Sequence, residues 1–263
     1  MNLIDKAFKV AREEGYISLF KKTSLYTLKK IADIYPLGYI RALIATSRLK
    51  EYLNKLGDTD DINSIVNLAF NFSFLGVSIK PSQILYEIKT LLKIVKKIKP
   101  KTILEIGTER GGTLFLFCRV ADPEAIIISI DLPGGPFGGG YPIWKIPFYK
   151  SFVRDHQKIH LIRADSHNSQ TLNKVKKILG DKLIDFLFID GDHTYEGVKK
   201  DFEMYSSLVR KGGIIAFHDI VPHPPETGCE VSKFWNEVKQ YFKYIEIIQD
   251  QNQNWAGIGV LYV

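Results

Sequence analysis

Cysteine is scarce in this chain of 263 residues, which contains only Cys118 and Cys229. Two cysteines are too few for a disulfide framework, and no CxxC or Cys/His spacing of a metal site is present. Long apolar runs are missing as well, since none approaches the roughly 18 residues of a membrane span. The N-terminus also lacks the uninterrupted apolar segment of a signal peptide. The sequence therefore predicts a protein of the reducing cytoplasm.

The C-terminal part of the chain lacks any excess of positive charge. Residues 101–263 carry 19 Lys and Arg against 20 Asp and Glu, whereas residues 1–100 carry 17 against 9. The net charge of +7 is therefore the sum of +8 in the first hundred residues and −1 in the rest. A nucleic-acid-binding surface on the C-terminal part would need an excess of basic residues there. Nucleic acid is accordingly disfavoured as a partner.

The basic N-terminal third shows a helical pattern. In residues 16–35, apolar residues recur at steps of three or four, and lysine pairs stand among them. Three interpretations are open: a helix that packs on its own domain, a basic amphipathic helix at the inner face of a membrane, or a partner-binding helix. We predict a basic helical extension over residues 1–80 and the main domain over residues 81–263.

Short apolar runs alternate with helical patterns in the rest of the chain. Five of them end in glycine or an acid: TILEIG (102–107), AIIISID (125–131), IHLIRAD (159–165), IDFLFIDG (184–191) and GGIIAFHD (212–219). This alternation predicts a parallel sheet that is covered on both faces. Two later runs, YIEIIQ (244–249) and GIGVLYV (257–263), have only a short loop between them, which permits an antiparallel hairpin and forbids a parallel crossover. The predicted fold is a doubly wound, mostly parallel α/β sheet with a reversed last strand and an N-terminal helical extension.

Ligands of doubly wound sheets bind at the carboxyl ends of the strands, and the first of these ends carries a glycine turn. In EIGTERGGT (105–113), Gly107 and Gly111 allow a tight turn and the close approach of a ligand to the backbone. Glu109 stands where the GxGxxG pattern needs its second glycine, which disfavours a dinucleotide pyrophosphate. The turn suits a ligand that has no phosphate groups there.

Polar residues close the next two predicted strands. Asp131 can accept hydrogen bonds from both hydroxyls of a ribose, and Asp165 and Ser166 can reach the edge of an adenine. Capping of the following turn or helix is the alternative role for each of these residues. Together with the glycine turn they predict an adenosine site without a phosphate cradle, a description that S-adenosylmethionine (SAM) fits.

Five segments, in this order, resemble the class I SAM-dependent methyltransferases: LEIGTERGGTLFLF, IDLPGGPFGGGYP, IRADSHNSQTL, FLFIDGDHTYEGVKKDF and VRKGGIIAFHDI. More narrowly, they resemble the subgroup of cephalosporin hydroxylase-type proteins and macrolide-sugar O-methyltransferases. The resemblance covers about residues 80–263 and implies a seven-stranded Rossmann-like methyltransferase sheet with SAM as cofactor. The SAM-binding residues it implies, together with those considered above, are Glu105, Gly107, Thr108, Gly111, Asp131, Asp165 and Ser166.

The resemblance also implies a divalent metal, usually Mg²⁺, held by acids after the fourth and fifth strands. Asp190 and Asp219 match these acids, and His193 matches the general base. His218 stands where metal-binding relatives have a glutamate. Because imidazole suits Zn²⁺, iron or Mn²⁺ better than Mg²⁺, His218 either binds a softer metal or takes no part. Asp192 is as well suited to capping the following helix as to metal binding.

The loop LPGGPFGGGYP (132–142) combines adaptable glycines with the aromatic residues Phe137 and Tyr141, and Trp144 follows it. This composition predicts a lid over the nucleoside and the acceptor. A rigid turn and a contact between copies of the chain in a homo-oligomer are the alternatives.

The predicted function is methyl transfer from SAM to a hydroxyl of a sugar, a glycan or a glycosylated small molecule. A metal on Asp190 and Asp219 would lower the pKa of the acceptor hydroxyl, and His193 would take its proton. The alternative role for His193 is that of a helix-start residue bonded to the backbone. Three other classes stay open: a hydroxylase-type protein with an iron site, an NAD-binding oxidoreductase, which Glu109 disfavours, and a non-catalytic adenosine-binding protein.

Overall fold

The structure, a computed structural model, describes residues 36–57, 61–134 and 139–263. The helical pattern of residues 16–35 lies outside this part of the chain, so its three interpretations stay predictions.

Helices and strands alternate along the described residues. The helices are α1 (Leu37–Leu56), α2 (Ile62–Asn71), α3 (Leu85–Ile98), α4 (Gly112–Val120), α5 (Ile146–Lys150), α6 (Ser169–Leu179), α7 (Tyr195–Tyr205) and α8 (Val231–Val238). The strands are β1 (Ser73–Phe74), β2 (Val77–Ser78), β3 (Thr102–Ile106), β4 (Ile126–Asp131), β5 (Lys158–Arg163), β6 (Ile184–Ile189), β7 (Val209–His218), β8 (Lys243–Ile247) and β9 (Ile258–Tyr262). Strands β1 and β2 form a small antiparallel hairpin ahead of the sheet.

Strands β3 to β9 form a seven-stranded sheet in the order β5-β4-β3-β6-β7-β9-β8. Neighbours from β5 to β7 are parallel, whereas β9 runs antiparallel to both β7 and β8. The predicted sheet with its reversed last strand is therefore confirmed. The chain moves outward from β3 through β4 and β5 and then returns to β6 on the other side of β3. The carboxyl ends of β3 and β6 thus border the switch point at which such sheets bind ligands.

Alternate residues of the central strands enter two hydrophobic cores, one on each face of the sheet. On β6, Phe186 and Phe188 belong to one core, while Leu187 and Ile189 belong to the other. Phe117 of α4 packs edge-to-face on Phe186, with the ring centroids 4.9 Å apart. Because both faces of the sheet are covered, its central strands are continuous apolar runs in the sequence.

Helices α1 and α2 contribute to the first of these cores. Ala42, Ala45 and Leu49 of α1 and Val66 of α2 are buried there together with side chains of the sheet. The described part of the predicted extension therefore packs on the main domain, and the boundary at residue 80 stays a prediction. Within the described ranges, every helix is too short or too polar to cross a bilayer.

Candidate functional site

A cavity of about 360 Å³ opens at the carboxyl ends of the parallel strands. This volume lies within the range of small-ligand sites, about 300–1,000 Å³. The predicted site residues that line it are Gly107, Thr108, Asp131, Asp165, Ser166, Asp190, His193, His218 and Asp219. The described lining does not include Glu105 or Gly111.

The glycine turn after β3 packs directly against the end of β6. Gly107 has a φ angle of +94°, and a Cβ atom at this position would lie 2.0 Å from the carbonyl oxygen of Asp190. The N–H of Gly107 donates to the carbonyl oxygen of Ile130, and the N–H of Asp190 donates to that of Ile106, each at 2.8 Å. Only glycine permits both this conformation and this close approach. Gly107 therefore lets Asp190 lie beside the turn.

The Asp131 carboxylate, at the end of β4, joins two loops of the cavity. Its Oδ2 accepts hydrogen bonds from the N–H groups of Thr108 (3.0 Å) and Glu109 (2.8 Å), and its Oδ1 accepts one from the N–H of Gly140 (3.0 Å). Burial raises the pKa of Asp131, and these backbone donors act in the opposite direction. The N–H of Leu132 acts on this carboxylate as well, so backbone donors occupy most of its acceptor positions, about four in all. Asp131 thus holds the loops and also lines the cavity.

Glu105 and Gly111 support the glycine turn from outside the cavity lining. The Glu105 carboxyl group is fully buried, accepts hydrogen bonds from the hydroxyls of Thr113 (2.5 Å) and Ser129 (2.8 Å), and has its pKa raised to about 8 by burial. Gly111 lies directly before α4, where a Cβ atom would lie 2.7 Å from the ring of Tyr149. Glu105 thus links β3 to α4 and β4 by hydrogen bonds, and Gly111 leaves space for the ring of Tyr149.

The end of β5 holds a histidine that the sequence pattern does not reveal. Asp165 accepts a hydrogen bond from the N–H of His167 (2.8 Å), and the Tyr205 hydroxyl donates to the carbonyl oxygen of Ser166 (2.7 Å). The His167 ring also lines the cavity, and its Nε2 atom lies 3.3 Å from the carboxylate of Asp201, a fully buried residue of α7. Hydrogen bonding to Asp201 raises the pKa of His167. This end of the cavity is therefore lined by polar groups that are tied to α7.

The other end of the cavity holds a cluster of acids and histidines at the ends of β6 and β7. The Nδ1 atom of His218 lies 3.1 Å from Oδ1 of Asp190 and 3.3 Å from Oδ2 of Asp219. The Nδ1 atom of His193 lies 3.0 Å from the same Oδ2 of Asp219, and its Nε2 lies 3.7 Å from Oδ1 of Asp190. The structure thus brings these four residues together, because parallel neighbouring strands end side by side. We refer to them as the acid–histidine cluster.

The carboxylates of the acid–histidine cluster favour the protonated form of both imidazoles. Burial alone would lower the pKa of His193, but hydrogen bonds to Asp219 and Cys229 and the charge of Asp190 raise it to about 10. Burial of His218 is likewise outweighed by the charges of Asp219 and Asp190, which hold its pKa well above the ordinary value. Burial would raise the pKa of Asp219, but its histidine neighbours hold it well below the usual range. The two imidazolium groups therefore balance the charge of the two carboxylates.

Two further side chains contact the acid–histidine cluster and were missed by sequence reasoning. Gln83, just before α3, donates from Nε2 to Oδ2 of Asp190 at 2.7 Å. His223, in the loop after β7, places Nε2 3.2 Å from Oδ1 of Asp219 and Nδ1 2.8 Å from the carbonyl oxygen of Val221. Gln83 is 107 positions from Asp190 in the sequence, so no local spacing predicts this contact. The four-residue spacing of Asp219 and His223 is the only signal that the sequence offers.

Asp219 adopts a left-handed backbone conformation, with a φ angle of +64°. This conformation costs a non-glycine residue about 1–2 kcal/mol. Consecutive side chains of a strand point to opposite faces, yet His218, the last residue of β7, and Asp219, the residue after it, both belong to the cluster. The left-handed turn explains this arrangement, and strained residues of this kind concentrate at functional sites.

Asp192 and the aromatic residues of the glycine-rich segment have structural roles. Oδ1 of Asp192 accepts hydrogen bonds from the N–H and the hydroxyl of Thr194, both at 2.9 Å, and Thr194 in turn caps α7. Tyr141 and Trp144, predicted as contact surface of a lid, are buried in the hydrophobic core. That part of the lid prediction is wrong, because both rings are core residues and offer no exposed contact surface. Phe137 lies outside the described residues.

The acid–histidine cluster has the composition of a cation site. The ligand atoms of Asp190, His218 and Asp219 lie within 4.8 Å of one another. Nε2 of His218 and Oε1 of Gln83 are buried there without a hydrogen-bond partner. This mixture of carboxylate and imidazole fits a divalent cation that accepts both oxygen and nitrogen, such as Mn²⁺, Fe²⁺ or Zn²⁺, better than one that prefers oxygen alone.

Comparison with known families identifies the part of the chain that carries the site. A family model described as "Methyltransferase domain" matches residues 104–220. This stretch runs from β3 to the residues just after β7, and it contains every predicted site residue.

Curated proteins match the chain as well. The chain is 30% identical over 181 residues to the Tapetum-specific methyltransferase 1 of Arabidopsis thaliana, a match that covers 68% of this chain and 67% of that protein. It is 26% identical over 148 residues to the uncharacterized protein y4gI of Sinorhizobium fredii, which covers 55% of this chain. The chain spans only 16% of the length of the latter protein.

Solved structures agree with the fold. The O-methyltransferase TomG from Streptomyces achromogenes, in complex with SAM, superposes with a TM-score of 0.51 at 18% identity, covering 78% of this chain and 90% of that chain. The O-methyltransferase from Bacillus cereus in complex with SAH gives a TM-score of 0.51 at 14% identity, covering 81% of this chain and 96% of that chain. At such identities the likeness establishes a shared fold.

Proposed function

The chain belongs to the class I SAM-dependent methyltransferases, and we propose that it methylates a hydroxyl of a sugar, a glycan or a glycosylated small molecule. One observation carries the proposal: the Gly107 turn, the Asp131 carboxylate and the acid–histidine cluster border a single cavity. An adenosine-containing methyl donor and a hydroxyl acceptor could therefore meet there. Holding the two together in the reacting geometry would supply much of the rate enhancement.

The donor would occupy the part of the cavity between the ends of β3, β4 and β5. Gly107 and Thr108 offer a close backbone surface, and the Asp131 carboxylate, which lines the cavity, suits a ribose hydroxyl. Asp165 and Ser166 line the end of the cavity beyond Asp131, where they would meet the adenine. Glu105 supports this site through the turn and makes no direct contact in the proposal.

We expect Asp131→Ala to weaken SAM binding by about tenfold or more. Tenfold corresponds to a loss of about 1.4 kcal/mol of binding free energy. The substitution removes the ribose acceptor and also releases the N–H groups of Thr108, Glu109 and Gly140. Titration calorimetry with SAH and with an SAH analogue that lacks the ribose hydroxyls separates the two effects. The analogue should lose less affinity than SAH. An equal loss for both ligands would remove the ribose role and leave only the loop contacts.

The acceptor assignment is supported by an exposed tryptophan beside the cavity. Trp255, on the loop between β8 and β9, lines the cavity and is 46% exposed. The buried carboxylate of Glu87 accepts hydrogen bonds from the N–H groups of Gln249 (3.1 Å) and Gly257 (3.0 Å), which hold this loop in place. A partly exposed indole at the edge of the cavity suits the apolar face of a sugar ring. The resemblance to macrolide-sugar O-methyltransferases supports the same acceptor class, and the two O-methyltransferase neighbours support transfer to oxygen.

His193 is the proposed general base. Its contact with Asp219 orients the ring, and its place in the cavity lining makes it accessible to a bound hydroxyl. A base must be neutral to accept a proton, whereas the surrounding carboxylates hold the pKa of His193 at about 10. The charge of Asp190 and Asp219 must therefore be balanced by something other than His193 during the reaction.

Asp190, His218 and Asp219 would hold the divalent cation of the proposal. When bound, such a cation would polarise the acceptor hydroxyl and neutralise both carboxylates. The predicted Mg²⁺ and its alternative Mn²⁺ are both compatible with the two acids, and His218 favours Mn²⁺.

We expect transfer of labelled methyl from SAM to a sugar acceptor to stop in excess chelator and to return with Mg²⁺ or Mn²⁺. The measurement is a tritiated-methyl assay over sugars, glycosides, glycans and simple polyols, each with and without added metal. Full activity in excess chelator would contradict the metal role. Binding of SAM without transfer to any acceptor of the panel would instead favour the non-catalytic adenosine-binding class.

A further inference from the structure

One of the two cysteines lies beside the proposed base. Cys118 is buried in α4, whereas Cys229 is partly exposed in the segment between β7 and α8. The N–H of Glu230 donates to the carbonyl oxygen of His193 at 2.8 Å, which ties this segment to the start of α7. The thiol of Cys229 therefore reaches a side chain that is 36 positions earlier in the sequence.

The thiol joins a second group of potential metal ligands. The ligand atoms of His193, Asp219 and Cys229 lie within 4.8 Å of one another. Asp219 also belongs to the group formed with Asp190 and His218, and its Oδ2 is the atom that approaches both histidines. The two groups therefore overlap at one carboxylate.

The two groups differ in the kind of cation they suit. The group with Asp190 and His218 offers two carboxylates and an imidazole, whereas the group with Cys229 offers a sulfur, an imidazole and a carboxylate. Thiolate selects soft cations, and sulfur, nitrogen and oxygen together form a zinc ligand set. Mg²⁺ binds oxygen and does not take a thiolate.

We propose that His193, Asp219 and Cys229 form a second cation site that binds Zn²⁺ and related thiophilic cations. Because the two sites share Asp219, a cation bound at the second site prevents cation binding at the first. Binding requires the Cys229 thiol and the protonated His193 ring each to release a proton to solvent, so that a thiolate sulfur and a ring-nitrogen lone pair are given to the cation. The base and the shared carboxylate are then both occupied. Zn²⁺ should therefore inhibit the methyl transfer that Mg²⁺ or Mn²⁺ supports. This consequence rests on the proposed function.

Cobalt spectroscopy tests the site without any assay of activity. Co²⁺ replaces Zn²⁺ in mixed ligand sets, and a Co²⁺–thiolate bond gives a charge-transfer absorption in the near ultraviolet. We expect this band when the full-length chain is titrated with Co²⁺, and its loss in Cys229→Ser. Cys118→Ala is the matched control, because it also removes one thiol but leaves Cys229 in place, and the band should persist. Circular dichroism of each variant confirms that the fold is kept.

Inhibition tests the consequence separately. Zn²⁺ should inhibit the unmodified chain, and Cys229→Ser should weaken this inhibition by a factor of about 10 or more, when inhibition is expressed relative to each variant's own Mg²⁺-supported activity. A Co²⁺ band that is absent from the unmodified chain, or unchanged in Cys229→Ser, would overturn the site. A chain that transfers no methyl group but shows a Cys229-dependent band would refute the proposed function and leave the second site standing.

Discussion

Replacing Gly107 by alanine should abolish measurable SAM binding and destabilise the fold by several kcal/mol. An L-residue at a φ angle of +94° already costs about 1–2 kcal/mol. The added Cβ atom would also lie 2.0 Å from the carbonyl oxygen and 2.6 Å from the carbonyl carbon of Asp190. Relief of this overlap requires the ends of β3 and β6 to separate. That movement would displace Asp190 and the turn together, and losses of this size are diagnostic of a specific packing conflict.

Gly180→Ala is a matched control for the backbone part of this effect. Gly180 has a φ angle of +60° in the loop after α6, and nothing lies within 4 Å of the position of a Cβ atom there. The control should lose about 1–3 kcal/mol, the cost of a sparsely populated backbone conformation, and keep its affinity for SAM. Thermal unfolding and calorimetry with SAH measure the two quantities. SAH affinity that is equal in Gly107→Ala and in the unmodified chain would remove Gly107 from the donor site.

His193→Ala should lower kcat by about 10²- to 10⁴-fold, the usual contribution of a general base, with SAM affinity nearly unchanged. His193 contacts Asp190 and Asp219 and is not one of the residues proposed to bind the donor, so its loss should affect the acceptor and not the donor. The measurement is kcat with saturating SAM and a fixed divalent metal, together with the SAH dissociation constant. Calorimetry separates a loss of chemistry from a loss of binding.

His156→Ala serves as the control for the histidine substitution. His156 is exposed in the loop before β5 and is not among the described residues that line the cavity. This variant should keep the kcat of the unmodified chain. A kcat of His193→Ala that matches the control would make His193 structural, consistent with the hydrogen bond that its carbonyl oxygen accepts from Glu230.

Much of the fold could be predicted from local patterns. The runs that end at Gly107, Asp131 and Asp190 are strands because they are short, apolar and bounded by breakers. The short loop ahead of β9 predicted its reversal, because a parallel crossover needs more chain. The same patterns placed Asp131, Asp190 and Asp219 at strand ends, where a parallel sheet gathers them at one edge.

The roles of several residues depended on neighbours that no local pattern specifies. Tyr141 and Trp144 follow a glycine-rich loop, yet they are buried, since burial depends on what packs above a segment. Asp131 has three of its acceptor positions taken by backbone N–H groups from two separate loops. Gln83 contacts Asp190 across 107 positions of sequence, and Trp255 borders the cavity from the loop ahead of β9.

The sequence by itself determined the order of strands and helices and the acids at the strand ends, because hydrophobic periodicity and strand breakers are local properties. Only the tertiary structure decided which side chains contact those acids. Asp219 has His193, His218 and His223 as neighbours, and Cys229 joins this group although its spacing in the sequence matches no metal motif. Side chains that converge on one carboxylate come from different loops, and the distance between loops is set by the packing of the whole sheet.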